Sequence, residues 1–113
     1  VQQPQQFDRL FHALADPHRR GMVERLSRGP ASVKDLAAPH QLALPSALKH
    51  LRVLEEGGLV ASEKVGRVRT FRMQPDALSL LGEWVRDRQA TLERAFDRLA
   101  EVMADHPEEN PND

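Results

Sequence analysis

No cysteine occurs anywhere in the 113 residues, and isoleucine is absent as well. The first absence excludes disulfides, thiolate metal sites, thiol nucleophiles and cysteine redox switches. Aromatic residues make up only 4% of the chain, so a core has to be built mainly from aliphatic side chains. Leu, Val and Phe together supply 28 of the 113 residues, enough for a modest core and too many for wholesale disorder. No apolar run approaches the roughly 20 residues that span a bilayer. The opening VQQPQQFDRL also lacks a basic segment followed by an apolar one. The expectation is a soluble, cytoplasmic protein with no membrane partner, folded as a single domain over residues 1–113, with residues 1–6 and 105–113 as frayed tails.

The formal net charge of -1 conceals a division. Residues 1–75 carry 12 Lys and Arg against 7 Asp and Glu, whereas residues 76–113 carry 4 against 10. The two parts are suited to different partners, and the basic one can meet a polyanion; the alternative is that these charges only solvate the surface.

Phe7, Leu10, Phe11 and Leu14 fall on one stripe of a short helix, and Asp16-Pro17 supplies a cap and first-turn proline for the next. The second helix runs through Met22, Val23 and Leu26 to the breaker cluster Ser27-Arg28-Gly29-Pro30. Ser32 caps a third containing Val33, Leu36 and Ala37, closed by Pro39, and His40-Gln41-Leu42-Ala43 makes a tight connection. Leu44 to Glu56 is the clearest helix, with Leu44, Leu48, Leu51 and Leu54 as its apolar stripe and Gly57-Gly58 as its stop. VASEKV, Gly66-Arg67 and VRTFRM then read as a two-stranded hairpin with a basic tip. From Pro75 a long helix carries Leu78, Leu81, Val85, Leu92, Phe96, Leu99 and Met103 at helical spacing, a stripe that wants a partner helix.

Short helices, two of them joined by a tight turn, followed by a hairpin and a further helix, give the order of a winged helix-turn-helix. The segments ALADPHRRGMVERLSRGPASVKDLA, LPSALKHLRVLEEGGLV and GRVRTFRM resemble the ArsR-type (ArsR/SmtB) family of bacterial transcriptional repressors over roughly Phe7 to Met103. The most diagnostic residues are Lys49-His50-Leu51, Val53-Leu54-Glu55 and Gly58-Leu59-Val60. The resemblance implies a homodimer that binds a palindromic operator near its own gene and leaves it when an inducer binds.

The residues support the same reading independently. With Leu44, Leu48 and Leu51 pointing inward, Ser46, Lys49 and Arg52 face out and His50 lies on the flank, a polar face that a major groove admits. Lys49 is suited to guanine acceptors or phosphate, Ser46 to either, and Arg52 to phosphate. Val53 also falls outside, to touch a thymine methyl or pack beneath a neighbour. In the hairpin, Lys64, Arg67 and Arg69 are the expected backbone or minor-groove contacts, while Arg72, on the opposite strand face, is expected to be a structural partner. The competing explanation is an edge strand protected by charge. Arg19 and Arg20, in the Asp16-Pro17 segment common in the family, are expected to pair acidic groups or a phosphate.

Family sensor sites are not reproduced. Ser32 and Lys34 stand where the resemblance would place thiolates. Asp87-Arg88-Gln89 lacks the first His of the family's C-terminal site, and Leu99 stands ten residues beyond Gln89. His12, His18, His40, His50 and His106 form no HxxxH or HxH pair, and Met22, Met73 and Met103 suit core or interface gaps. No metal or cofactor is expected. Ser27, Ser32, Ser46, Ser62 and Ser79 lack a glycine elbow, and no glycine loop could cradle phosphate, so no enzyme is expected. The family often has Ser where Leu48 stands, and a Ser cap where Ala43-Leu44 stand, so operator sequence does not carry over.

The sequence therefore predicts a mainly α protein with a small β-hairpin wing, dimerising through its first and last helices. Phe7, Phe11, Leu81, Val85, Leu92, Phe96 and Leu99 are the candidate dimer core. Its expected partners are double-stranded DNA, a second copy of itself and an inducer of unknown identity. The alternatives are a winged-helix protein-interaction module and a small-ligand-binding dimer without specific DNA binding.

Overall fold

A computed structural model of the protein describes residues 3–106. Residues 1–2 and 107–113, expected to fray, lie outside the described residues, but Gln3–Gln6 belong to the first helix and Asp105 closes the last. The chain divides into a compact unit through Leu80 and a second from Leu81 onward.

The first unit contains α1 (Gln3–Leu14), α2 (Pro17–Leu26), β1 (Ala31–Ser32), α3 (Val33–Ala37), a 3-10 turn (Ala38–His40), α4 (Leu44–Glu56), β2 (Val60–Val65) and β3 (Val68–Met73). Local chemistry sets these boundaries. The Asp16 carboxylate accepts from the Arg19 backbone N–H at 3.1 Å, and Pro17 occupies the first turn of α2, where its missing N–H costs nothing. The Ser32 hydroxyl likewise accepts from the Asp35 N–H at 3.2 Å and starts α3. After the 3-10 turn, Gln41 adopts φ 55°, the left-handed conformation that reverses the chain ahead of α4.

The C-terminus of α4 closes as a Schellman motif. The Gly58 N–H donates to the Glu55 carbonyl (3.0 Å) and the Leu59 N–H to the Leu54 carbonyl (3.0 Å), with Gly58 at φ 76°. Gly57 is needed for a different reason: a Cβ there would lie 2.9 Å from the Ala13 Cβ and 3.1 Å from the Arg9 carbonyl, so α1 approaches the end of α4 too closely for any side chain.

The hairpin has the expected register, with Val65 opposite Val68 and a Gly66-Arg67 loop in which only the glycine has positive φ (62°). The sheet is nevertheless three-stranded, in the order β1-β3-β2, because Ala31 and Ser32 pair antiparallel with Phe71 and Thr70. Two residues are too few for an alternating pattern, and Ser32 also serves as the α3 cap, so β1 left no strand signal in the sequence.

Phe71, Leu10, Met22, Leu36, Leu51, Leu54 and Leu59 are the largest fully buried side chains. Burying each stabilises the unit by roughly 1.5–3 kcal/mol, and no polar residue is buried among the described ones. The inward stripe of α4 is Ala47, Leu51 and Leu54, which corrects the expected stripe of Leu44, Leu48 and Leu51. Ala47 lets neighbouring elements approach the helix closely, so the buried face is centred on it, and Leu44 and Leu48 turn onto an exposed shoulder at 47% and 44%.

The last helix, α5 (Pro75–Asp105), opens with a proline and with Asp76 in its first turn, where a carboxylate favours the helix dipole. It runs for 31 residues and buries none of its side chains within this chain. From the second unit, Val85, Leu92, Phe96, Leu99, Val102 and Met103 all present exposed apolar surface.

Candidate nucleic-acid interface

Two elements of the first unit carry the expected contact residues. On α4, Ser46, Lys49 and Arg52 are exposed. No side chain caps this helix at Ala43, and Pro45 lies in its first turn. The N-terminal end of α4 thus has no side-chain cap and leaves Ser46 and Lys49 exposed.

His50 is placed differently from these three. Its ring is largely covered, with 20% side-chain exposure, and Nδ1 lies 3.2 Å from Arg19 Nη1 and 3.8 Å from Asp16 Oδ2. Burial holds the imidazole below its ordinary pKa, assisted by the Arg19 guanidinium and by His18 and His40 and opposed by Asp16. Burial pulls the Asp16 carboxyl upward, but the Arg19 backbone N–H, His50 and the Arg19 guanidinium outweigh it and leave the group below the usual carboxylate range. His18 stands edge-on to His40 at 5.2 Å and tilted to His50 at 5.5 Å between ring centres. This aromatic contact joins α2, the turn before α4, and α4 itself.

Arg19 ties the same junction to α1. Its Nε donates to the Ala13 carbonyl at 2.8 Å and its Nη2 to the His12 carbonyl at 3.0 Å, while Arg20 Nη1 donates to the Leu14 carbonyl at 2.9 Å. The two arginines close the carbonyl end of α1, so backbone carbonyls are their hydrogen-bond partners, and the acidic group that the Arg19 charge acts on is the Asp16 carboxylate. Sequence reasoning missed this clasp because backbone carbonyls leave no trace in residue identity.

The wing places Lys64, Arg67 and Arg69 on exposed positions. Arg67 occupies the loop, and Lys64 is the cross-strand partner of Arg69. Like charges directly opposite one another destabilise a hairpin, so this pairing is a folding cost that a polyanion would offset. Arg69 is held along the strand by donating from Nη1 to the Ser62 hydroxyl at 2.9 Å. Arg72 reaches Gln74 Oε1 at 3.5 Å, a long contact that keeps it at the base of the hairpin.

Among the described residues no group of three or more His, Asp or Glu side chains could hold a metal ion, and no helix is long and apolar enough to cross a membrane.

A helix-turn-helix domain model matches residues 14–63, the segment from the end of α1 into the wing. The HTH-type transcriptional regulator Rv2034 of Mycobacterium tuberculosis is 39% identical over 74 residues, spanning 66% of this chain and 69% of that protein. A crystal structure of an ArsR family transcriptional regulator superposes with a TM-score of 0.75 at 43% identity, covering 80% of this chain and 93% of that one. The chain belongs to the ArsR family of transcriptional regulators.

As an ArsR-family protein it is a DNA-binding regulator with a winged helix-turn-helix fold. The homodimeric winged helix-turn-helix DNA-binding domain Mb0332 of Mycobacterium bovis is also similar, at 26% identity and a TM-score of 0.63 over 80% of this chain and 84% of that one. In this ArsR-family chain, α3 and α4, joined by the turn through Ala38–His40, make the helix-turn-helix, and β2–β3 the wing.

Proposed function

We propose that the protein is a cytoplasmic homodimeric repressor, each chain one winged helix-turn-helix domain, that holds an inverted-repeat operator until an inducer displaces it. The observation that carries this reading is the pairing of Lys64 with Arg69 across the wing, in the same unit as an α4 that exposes Ser46, Lys49 and Arg52. Together they give this unit a set of exposed cations suited to duplex phosphate.

In this reading α4 enters the major groove. Lys49 reaches guanine acceptors or phosphate, Ser46 bonds to a base edge or phosphate near the helix N-terminus, and Arg52 holds phosphate. Lys64, Arg67 and Arg69 lie along the backbone or minor groove. His50, engaged by Arg19 and Asp16, positions the reading helix and adds at most an edge contact. The exposed apolar surface of α5 and the α1 pair Phe7 and Phe11, whose rings stack at 6.1 Å, supply the dimer contacts. Neither catalysis nor a thiolate-bound metal has a part in it.

Fluorescence anisotropy across a salt series tests the proposal, using the duplex upstream of the protein's own gene and a scrambled control. Tight binding to the native duplex alone is expected, falling steeply with salt. Lys49→Ala should cost about 5- to 150-fold on the native duplex, on the order of 1–3 kcal/mol. Arg67→Ala should weaken both duplexes alike and reduce the salt slope by about 1. Equal affinity of the wild type and Lys49→Ala for the native duplex would overturn the assignment of α4.

A further inference from the structure

Leu44 and Leu48 are exposed at 47% and 44% on α4, whereas Ala47, Leu51 and Leu54 of the same helix are fully buried. A lone exposed leucine needs no explanation. Two at i and i+4 form a continuous apolar ridge with their Cβ atoms about 5–6 Å apart, and the same row continues one turn later into Arg52. Lys49 follows about 100° round the helix from Leu48, with Arg52 between them, while Ser46 lies on the far side of the exposed face. The leucines therefore occupy the N-terminal half of the helix, the end that meets base edges when a recognition helix lies in the major groove. A phosphate or a base acceptor offers nothing to a leucine. The apolar group that the major groove presents is the C5 methyl of thymine.

We propose that Leu48, with Leu44 beside it, reads thymine methyl groups in each operator half-site and so determines part of the sequence specificity. The inference rests on the regulator reading above. Charge and apolar ridge divide the work: Arg52 supplies attraction to duplex of any sequence, Lys49 takes a guanine acceptor or a phosphate, and the leucines discriminate because a cytosine at the same step leaves them facing a desolvated amino group. The row order also fixes polarity, since Arg52 lies one turn beyond Leu48 and reaches the backbone past the thymine.

The test starts from duplexes selected out of a random pool by the full chain. Each thymine is then replaced singly by deoxyuridine, which removes the methyl and leaves base pairing unchanged. One position per half-site, or two adjacent ones, is expected to lose about fourfold in affinity for each methyl removed, the value of one buried CH₂ group. Leu48→Ala should bind the thymine and deoxyuridine duplexes equally, at about the wild-type affinity for the deoxyuridine duplex, with its salt slope unchanged. A wild type indifferent to every replacement, or a Leu48→Ala variant that keeps the methyl dependence, would overturn the inference while leaving the regulator reading standing. Failure to enrich any duplex would overturn both. A change of sedimentation coefficient in the Leu44→Ser/Leu48→Ser double variant would give the ridge to a second copy of the chain, and that too would overturn it.

Discussion

The Arg19 guanidinium makes three contacts with two purposes. Two of its donors close the carbonyl end of α1, and the third meets His50 on α4, so one side chain registers α4 against α1. Arg19→Ala removes charge-assisted bonds in a half-buried setting and should cost about 2 kcal/mol, whereas Arg20→Ala, which loses one exposed bond to Leu14, should cost under about 1 kcal/mol. Urea midpoints at unchanged m-value check the difference. The pH dependence follows from His50. Its folded pKa lies below the unfolded value, so the unfolded chain takes up a proton that the folded chain refuses as pH falls below about 6.5. Stability is therefore lost between neutral pH and the depressed folded pKa, and is constant in this respect below it. The loss belonging to Asp16, whose pKa is also lowered, comes only at more acid pH, below about 3.8. His50→Gln should flatten the slope of urea midpoint between pH 7.5 and 5.5, and an unchanged slope would show that another group carries it.

Among elements, α4 is bounded by opposite devices. Its start has no side-chain cap, and its end is fixed by two glycines with separate tasks, one for close approach to Ala13 and one for positive φ. Gly58→Ala should cost about 1–2 kcal/mol, because an L-residue is forced into the left-handed region with no close contact to blame. Thermal unfolding reads that cost, and Gly58→Asn should recover part of it. The elements themselves were largely legible in sequence: the Asp16-Pro17 and Ser32 caps, the Gly57-Gly58 stop and the Val65/Val68 register around Gly66-Arg67 are local chemistry. What escaped was long-range. Ala47 has too small a side chain to register in a count of leucines, yet it centres the buried face and turns Leu44 and Leu48 outward. The β1 pairing with Phe71 depends on residues far along the chain, which spacing within a short window does not reveal, and the carbonyl partners of Arg19, on Ala13 and His12, are backbone groups that residue identity does not show. Ser46, Lys49, Arg52, Lys64, Arg67 and Arg69 are exposed as expected because polar side chains stay outside under such rotations, while His50, expected on the flank of the α4 face, is held inward.

For the whole molecule, the uneven charge distribution and α5 bear on the same question. The cations are concentrated before residue 76, and the acidic remainder carries a 31-residue helix without one buried side chain. Leaving Leu92 at 54%, Phe96 at 60% and Leu99 at 53% exposed forfeits apolar burial that a second copy would recover. A helix of that length also gains little from remaining isolated in water. In the proposed homodimer, dimerisation would matter for DNA through geometry, since two α4 helices about 34 Å apart would convert two weak half-site contacts into one tight one. Phe96→Asp introduces a charge into that contact and should yield a monomer in sedimentation equilibrium at micromolar concentration. The helix-turn-helix and wing lie before residue 76, so the variant should bind an isolated half-site duplex as the wild type does. On an inverted repeat it should lose the avidity of linked sites, about 10² or more in affinity. A variant that stays dimeric would remove Phe96 from the interface. A monomer that loses half-site binding as well would mean that dimerisation holds the reading helix in shape, in place of only pairing two competent readers.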